Sequence, residues 1–286
     1  MSAAVATARR WGTLPGVATV YRWELFKLRH QKRTYLGLGA SILVPVLFVI
    51  AVHLRRSHER GGGFAFSDYV DKSGLAIPLV ILLFGAIWLF PLIAALVAGD
   101  IFASEDHNGT LKTILTRSLE RWQLFAGKAL AAGTYAIAAI LLCGTVGVVA
   151  GSIQSGFNPL QSLSGTIVSA PRATELVYFS LLIYLIPITA IVCIGLLLSV
   201  VTHNSAAAVV GTLMISLVFQ LIGILPGLGA LQPYLLSTQF NAWQGLLRTP
   251  IDWTPIVRAI WICAIYGLGS LFCAFVVFLR RDVGGG

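Results

Sequence analysis

The chain has 286 residues, of which 57% are hydrophobic and only 11% are charged, and its mean hydropathy is +0.85. Soluble domains carry about 25% charged residues, so these values exclude a soluble globular protein and indicate an all-α integral membrane protein. The formal net charge is +9. Because the basic residues are spread over the chain, we expect them to anchor it at the membrane rather than to bind nucleic acid.

Residues 1–34 are predicted to form a cytoplasmic N-terminus that ends in an amphipathic interfacial helix. In "VATVYRWELFKLRHQKR" (17–33), apolar residues recur at helical spacing and basic residues fill the rest. The alternative is a cytoplasmic extension of the first span. The predicted interfacial anchors are Arg22, Trp23, Lys27, Arg29, Trp122 and Lys128.

Six apolar runs are long enough to cross a bilayer, which takes about 20 residues. They cover approximately 35–52, 75–99, 129–151, 176–201, 205–225 and 259–279. These runs predict one membrane domain over residues 35–280, with 281–286 as a short tail. Prolines at positions 45, 78, 91 and 187 interrupt the runs and allow the helices to kink.

The distribution of Lys and Arg predicts the orientation of the spans, because these residues are retained in cytoplasmic loops. The side that holds both termini and residues 100–128 has 13 of the 20 basic residues, and the other side has 7. We therefore expect a multi-pass protein of the cell membrane with both termini and the 100–128 loop in the cytoplasm.

The sequence lacks the usual signatures of catalysis or ion coupling. The middle of each predicted span contains no ionisable residue, although ion-coupled transporters need such a group. Neither HExxH nor a GxxxxGK[ST] phosphate loop is present. The four cysteines lack metal-ligand spacing and are interpreted as small apolar fillers. We thus predict no catalytic residue, no metal site and no bound cofactor.

A polar, Gly-broken segment separates the second and third runs. Gly109 allows a sharp turn, and Leu111, Ile114 and Leu115 would form an apolar ridge on a short helix. Such a ridge usually has a partner; a helix that touches only lipid is the alternative.

The stretch "GDIFASEDHNGTLKTILTRSLERWQLFAGKALAA" (99–132) resembles the first cytoplasmic loop of ABC type-2 permeases. The family shows an acidic residue, a Gly-Thr-Leu, a Leu-rich helix, an Arg and a Gly-Lys that opens the next span. The matching residues are Glu105, Gly109, Thr110, Leu111, Leu115, Arg121, Gly127 and Lys128. The chain departs from the family at 118–120, where members commonly have a Pro-Val-Ser type of turn.

The resemblance implies a six-span permease of an ATP-driven exporter. Two permeases, identical or paralogous, would pair with two separate cytosolic ATPase subunits, which would bind ATP and Mg²⁺. The residues implied in coupling to the ATPase are Glu105, Gly109, Thr110, Leu111, Ile114, Leu115 and Arg121. An uncharged interior favours an amphipathic or hydrophobic cargo, such as a drug, a peptide antibiotic, a lipid or a lipid-linked glycan. The alternatives are a membrane scaffold or immunity protein that does not transport, and an intramembrane enzyme.

Overall fold

The computed structural model describes residues 16–58, 66–107, 109, 120–225, 227 and 229–280. The α-helices are α1 Val17–Arg29, α2 Lys32–His58, α3 Ser67–Lys72, α4 Ala76–Gly85, α5 Leu89–Ala98, α6 Ala103–His107, α7 Arg121–Ser155, α8 Ala170–Thr202, α9 Ser205–Ile224, α10 Leu236–Gln239 and α11 Thr254–Arg280. Two 3₁₀ helices cover Gln232–Tyr234 and Ala242–Leu247. An antiparallel pair of short strands, β1 Leu160–Gln161 and β2 Ile167–Val168, pairs Leu160 with Val168.

The described chain is almost entirely helical, which confirms the predicted fold class. Five helices (α2, α7, α8, α9 and α11) are long and apolar enough to cross a membrane, and α4 with α5 gives a sixth span if this bent pair is counted as one. Most of these helices extend beyond the predicted apolar runs because helical hydrogen bonding continues into the polar flanks. The run predicted at 129–151, for example, belongs to a helix that begins at Arg121.

The second span is broken, and its two halves meet at a bend of 63°. The break covers residues 86–88 and precedes Pro91, which has no N–H to donate to the carbonyl four residues earlier. The ring of Phe90 packs against Gly85, where an added Cβ would lie 2.5 Å from a ring carbon. The proline and the glycine together explain why a continuous helix is lost at this point.

Helix α8 forms the centre of the domain. In the most apolar 18-residue stretch of α8, 56% of the residues are buried, whereas the corresponding share in α9 is 17%. Tyr184 of α8 packs edge-on against Phe90 of α5 and Phe240 near α10, with ring centroids 5.1 and 5.3 Å apart. These contacts hold the broken span against the central helix.

The two ends of the bundle are built differently. We call "the base" the end formed by α1, α6, the start of α7 and residues 203–205. We call "the roof" the end formed by α3, the β1–β2 hairpin and residues 232–249. Neutral hydrogen bonds join the parts of the roof: the Leu163 amide donates to the Leu247 carbonyl (3.1 Å), and the Thr249 amide to the Ser164 hydroxyl (2.9 Å).

The start of α4 lies very close to the end of α7. A Cβ added to Gly151 would be 2.3 Å from the backbone oxygen of Gly74, whereas a Cβ added to Gly133 of the same helix would have no atom within 4 Å. Both glycines lie inside α7, so alanine has the same effect on helix propensity at either position. The two substitutions differ mainly in how closely the added Cβ approaches its neighbours.

We expect Gly151→Ala to destabilise the protein by about 1–3 kcal/mol through overpacking. Gly133→Ala is the matched control, and its effect should be neutral or stabilising by up to about 1 kcal/mol because alanine favours helix. Thermal unfolding of both variants in detergent measures the difference. Equal melting temperatures would contradict the close approach of the two backbones.

Candidate functional site

The residues expected to couple the chain to an ATPase fall into two groups. Glu105, Gly109 and Arg121 lie within the described residues, and Gly109 has the left-handed φ of 66° expected of a turn. The ridge of Leu111, Ile114 and Leu115 and the neighbouring Thr110 lie outside the described residues. The structure therefore bears on how the loop is attached at its two ends.

Glu105 attaches the beginning of the loop to two other helices. It lies in α6, 9% exposed, and its carboxylate accepts hydrogen bonds from the ammonium groups of Lys27 in α1 and Lys128 in α7; the Lys128 contact is 2.8 Å. Glu105 is thus committed to contacts within the chain. Of the two roles that an acidic residue at this position could have, pairing with the ATPase or fixing the loop, the geometry supports the second.

Lys128 is completely buried and has three acceptors. Its Nζ lies 2.8 Å from Glu105, 3.1 Å from Glu24 and 3.0 Å from the carbonyl of Ile101. An ammonium group has three N–H donors, so each acceptor can take one. Lys128 therefore does not reach lipid phosphates, and its predicted role as an interfacial anchor is corrected to that of a buried ion-pair partner.

Glu24 completes this "charge cluster", which consists of Glu24, Lys27, Glu105 and Lys128. Its side chain is buried and lies 2.7 Å from Lys27. Sequence reasoning missed Glu24, although a signal was present. Glu24 follows Val20 and precedes Leu28 by four residues, so it lies on the apolar stripe of α1.

The apolar stripe of α1 faces the protein and not the lipid. Val20 and Leu28 are each 5% exposed, and Val20 packs so closely on α7 that a Cβ added to Gly127 would lie 2.5 Å from its side chain. The opposite face exposes Trp23 and Phe26. The amphipathic helix thus exists, but its buried face contacts α7.

The remaining predicted anchors lie at the surface of the base. Arg22, Trp23, Arg29 and Trp122 are exposed or partly exposed, so their role in contacting lipid stays a prediction. Lys27 instead pairs with the carboxylates of the charge cluster.

The pKa of Lys27 reports the strength of this pairing. Burial alone lowers the pKa of its ammonium group, but the carboxylates of Glu105 and Glu24 outweigh that effect and raise it above the ordinary value of 10.5. The stabilisation from a raised lysine pKa is complete below the unfolded pKa and is lost as the pH rises through the folded one. Burial raises the pKa of the Glu105 carboxyl, but Lys128 and Lys27 outweigh that effect and lower it below the ordinary value of 4.5, so its stabilisation is lost as the pH falls through the folded pKa. The cluster is therefore stable around neutral pH and weakens both in alkali and in acid.

A second set of contacts ties the end of span 2 to its neighbours. Asp100 pairs with the guanidinium group of Arg33 in α2 and accepts a hydrogen bond from the hydroxyl of Ser205 at the start of α9. The hydroxyl of Ser199 in α8 accepts from the amides of Phe102 and Ala103, at 3.1 and 3.0 Å. Ser199 thus satisfies donors at the N-terminus of α6, which would otherwise have no partner.

Arg121 attaches the far end of the loop. It begins α7, and its Nη1 donates to the carbonyl of Leu279 in the last turn of α11 (2.8 Å). A cation at a helix C-terminus is favourable because the terminal carbonyls carry partial negative charge. Both described ends of the loop are therefore fastened to the membrane helices.

These contacts connect the described ends of the loop to four different helices. Among the residues that the structure describes, no three His, Cys, Asp or Glu side chains come together as metal ligands. The carboxylates of Glu24 and Glu105 each pair with both lysines of the charge cluster. The cluster can hold α1, α6 and α7 in a fixed relation.

We expect Lys128→Met to destabilise the protein by about 3–5 kcal/mol, because it removes the fully buried cation and leaves two buried carboxylates with only the partly exposed Lys27 between them. Lys32→Met is the matched control, since Lys32 is exposed at the start of α2, and it should change stability by less than about 0.5 kcal/mol. Thermal unfolding in detergent at neutral pH tests both variants. A stability loss as small as that of the control would show that the cluster does not hold the base together.

The comparisons with known proteins agree with the resemblance inferred from residues 99–132. A family model described as ABC-2 family transporter protein matches residues 21–223, which extend from α1 almost to the end of α9. No curated protein matches the sequence. Because the matched segment covers most of the chain and contains all four residues of the charge cluster, the chain belongs to the ABC-2 transporter family.

Proposed function

We propose that this permease subunit exports an amphipathic or hydrophobic substrate and is driven by separate cytosolic ATPase subunits that contact residues 105–121. The observation that carries the proposal is the charge cluster. It fastens the start of this loop to α1 and α7 through a buried lysine, as a segment that transmits force would need.

The energetics of the cluster support a rigid connection. Removing one member of a buried ion pair costs about 3–5 kcal/mol, whereas a typical neutral hydrogen bond contributes about 0.5–1.5 kcal/mol. A displacement of the loop by a closing ATPase would therefore move α1, α6 and the start of α7 together. The bend between α4 and α5 and the neutral contacts of the roof are the weaker points at which such a motion could be absorbed.

The interior of the spans supports ATP rather than an ion gradient as the energy source. The buried charged residues of the described chain are Glu24, Asp100, Glu105 and Lys128, and all four lie at the base. A proton or ion would therefore find no ionisable group midway along the spans. An apolar path of this kind favours a cargo with a large hydrocarbon surface.

A second permease would complete the path, with the broken span 2 and α9 lining it. These elements are neighbours: the amide of Gln220 in α9 donates to the carbonyl of Ala86 at the break (3.4 Å), and a Cβ added to Gly99 would lie 2.9 Å from the Val209 nitrogen. Most of α9 remains uncovered by the rest of the chain, and its outer face exposes Val210, Met214 and Leu221. Pairing about a twofold axis would bury this face.

We expect Leu115→Asp to abolish co-purification with the ATPase, and Leu115→Met, the control of similar size, to retain it. Burying a leucine contributes about 2–5 kcal/mol in a packed site, a large part of the roughly 8 kcal/mol of a micromolar complex. Co-expression, detergent extraction and affinity purification measure the bound ATPase. Normal recovery of the ATPase and normal transport by Leu115→Asp would refute the assignment of the coupling loop. If no ATPase bound even the unaltered protein, the result would instead favour a scaffold.

Glu105→Gln separates binding from coupling. The variant should still bind the ATPase, because the ridge is intact, but ATP hydrolysis should no longer be accompanied by export since the loop has lost its connection to Lys27 and Lys128. Glu120→Gln carries the same chemical change on an exposed side chain and should leave coupling normal. Hydrolysis and export are measured in the same proteoliposomes. Equal coupling ratios for the two variants would refute a role for the cluster in transmission.

The excess of basic residues on the side of the termini predicts that the base faces the cytoplasm. In a background without the four native cysteines, an impermeant thiol reagent should label Ile167→Cys of the roof in intact cells. It should label Glu120→Cys of the base only after the cells are permeabilised. Both native residues are exposed, so access rather than burial decides the result, and the reverse pattern would invert the orientation.

A further inference from the structure

A cavity of about 130 Å³ lies between α4 and the roof, at the end of the domain opposite the charge cluster. Its lining is mainly apolar and includes Leu79, Val80 and Leu83 of α4 and Leu163, Trp243 and Leu247 of the roof. Neither the family assignment nor the proposed coupling mechanism accounts for it.

Trp243, one of the residues that line the cavity, also carries a polar group without a partner among the described residues. Trp243 is only 4% exposed, and its indole N–H has no hydrogen-bond acceptor among the residues that the structure describes. A buried donor without an acceptor is unfavourable, and such groups usually have a partner. Two amide side chains, Gln161 and Gln244, line the same cavity and are partly exposed.

The position of the cavity indicates which chemical class of ligand it could bind. Α4 is the half of span 2 nearer the roof, so the cavity lies where a membrane helix meets the polar boundary. Trp253 and Phe66 are exposed at this end, and aromatic residues of this kind are enriched at the membrane–water interface. Lipid ester carbonyls also lie in that interfacial region. They are acceptors without a proton to donate, which complements an indole that can only donate.

We propose that this roof cavity binds the carbonyl end of a single-chain amphiphile, because about 130 Å³ accommodates the carbonyl and the first few methylene groups of an acyl chain. The Trp243 nitrogen is covered in the structure, so the indole turns towards the ligand and donates a hydrogen bond to its ester or amide carbonyl. The hydrocarbon chain lies against α4, and the head group is directed past Gln161 and Gln244 towards water. A water molecule is a poorer occupant because it finds few polar partners among leucine and valine side chains. The inference rests on the cavity and does not depend on the proposed coupling to an ATPase.

The binding test uses the purified full chain in nanodiscs made of ether-linked phosphatidylcholine, so that the probe carries the only ester. The probe is a lysophosphatidylcholine with a diazirine in its acyl chain. After irradiation and proteolysis, mass spectrometry should find the label in peptides that contain residues 76–85 and 242–247. Unlabelled ester-linked lysophosphatidylcholine should compete for this labelling.

Matched variants locate the site. Val80→Trp fills the cavity and should reduce labelling of these peptides at least tenfold. Phe84→Trp introduces the same side chain on the same helix, at a position that is exposed and does not line the cavity, and labelling should be unchanged. Similar labelling of the two variants would overturn the proposal.

The role of the indole N–H is tested without changing the size of the cavity. Trp243→Phe should weaken competition by the ester-linked lysolipid about threefold to tenfold, as expected for one neutral hydrogen bond. Competition by the ether-linked analogue, which lacks the carbonyl, should be the same in both proteins. An equal loss for both lipids would overturn the proposed hydrogen bond, and this comparison remains decisive if Val80→Trp fails to fold.

The amphiphile could be a resident membrane lipid or the transported cargo, and turnover separates the two. If ATP and the partner ATPase reduce the labelling, the occupant is released during the cycle and is cargo. If the labelling persists during hydrolysis, the occupant is a resident lipid. Either result supports the binding site, whereas failure to detect hydrolysis would bear only on the proposed coupling.

Discussion

The base of this protein depends on one buried ammonium group. Lys128 lies among two carboxylates and a backbone carbonyl: Glu24 comes from α1, and Ile101 and Glu105 come from α6 and the turn before it. A charge without exposure to water is unfavourable unless it is paired and fully hydrogen-bonded. The requirement to surround Lys128 therefore fixes the position of α1 through Glu24 and that of α6 through Glu105. The loop that follows α6 therefore starts from a position that α1, α6 and α7 determine together.

The spans were predictable because hydropathy is a local property. A run of about 20 apolar residues can satisfy its backbone in a membrane only as a helix, whatever surrounds it. The break in span 2 was only partly predictable: Pro91 indicated a kink, but the 63° bend also requires Gly85 to accept the ring of Phe90. The contact between Gly85 and Phe90 forms only when α4 and α5 bend towards each other, so it could not be predicted from the sequence.

The charge cluster was not predicted, because it depends on packing between distant segments. At the start of a span, Lys128 has the sequence context of an interfacial anchor, and the same side chain in a monotopic protein would extend to the lipid head groups. Only the docking of α1, with Val20 against Gly127, closes the space around it. Glu24 was the one indication of the cluster in the sequence. A carboxylate on the buried stripe of a helix is expected to have a cationic partner, but the sequence does not show which cation that is. For Leu115 and its neighbours the ridge remains a prediction.

The two ends of the domain differ in the kind of interaction that holds them. The base combines buried ions, whose separation is costly at every intermediate distance because the surroundings are of low polarity. In the roof, α3 is held to α2 by the partly exposed ion pair of Asp71 with Arg55, and the other segments are joined by neutral hydrogen bonds such as those of Leu163 and Thr249. Water can replace such neutral bonds one at a time at little cost. The break at 86–88 lies between these two ends, at the position where the proposed motion of the loop would be absorbed. Both ends have a cavity, but their linings differ: the one at the base is lined by Glu24, Lys27 and Glu105 of the charge cluster, whereas the one in the roof is mainly apolar.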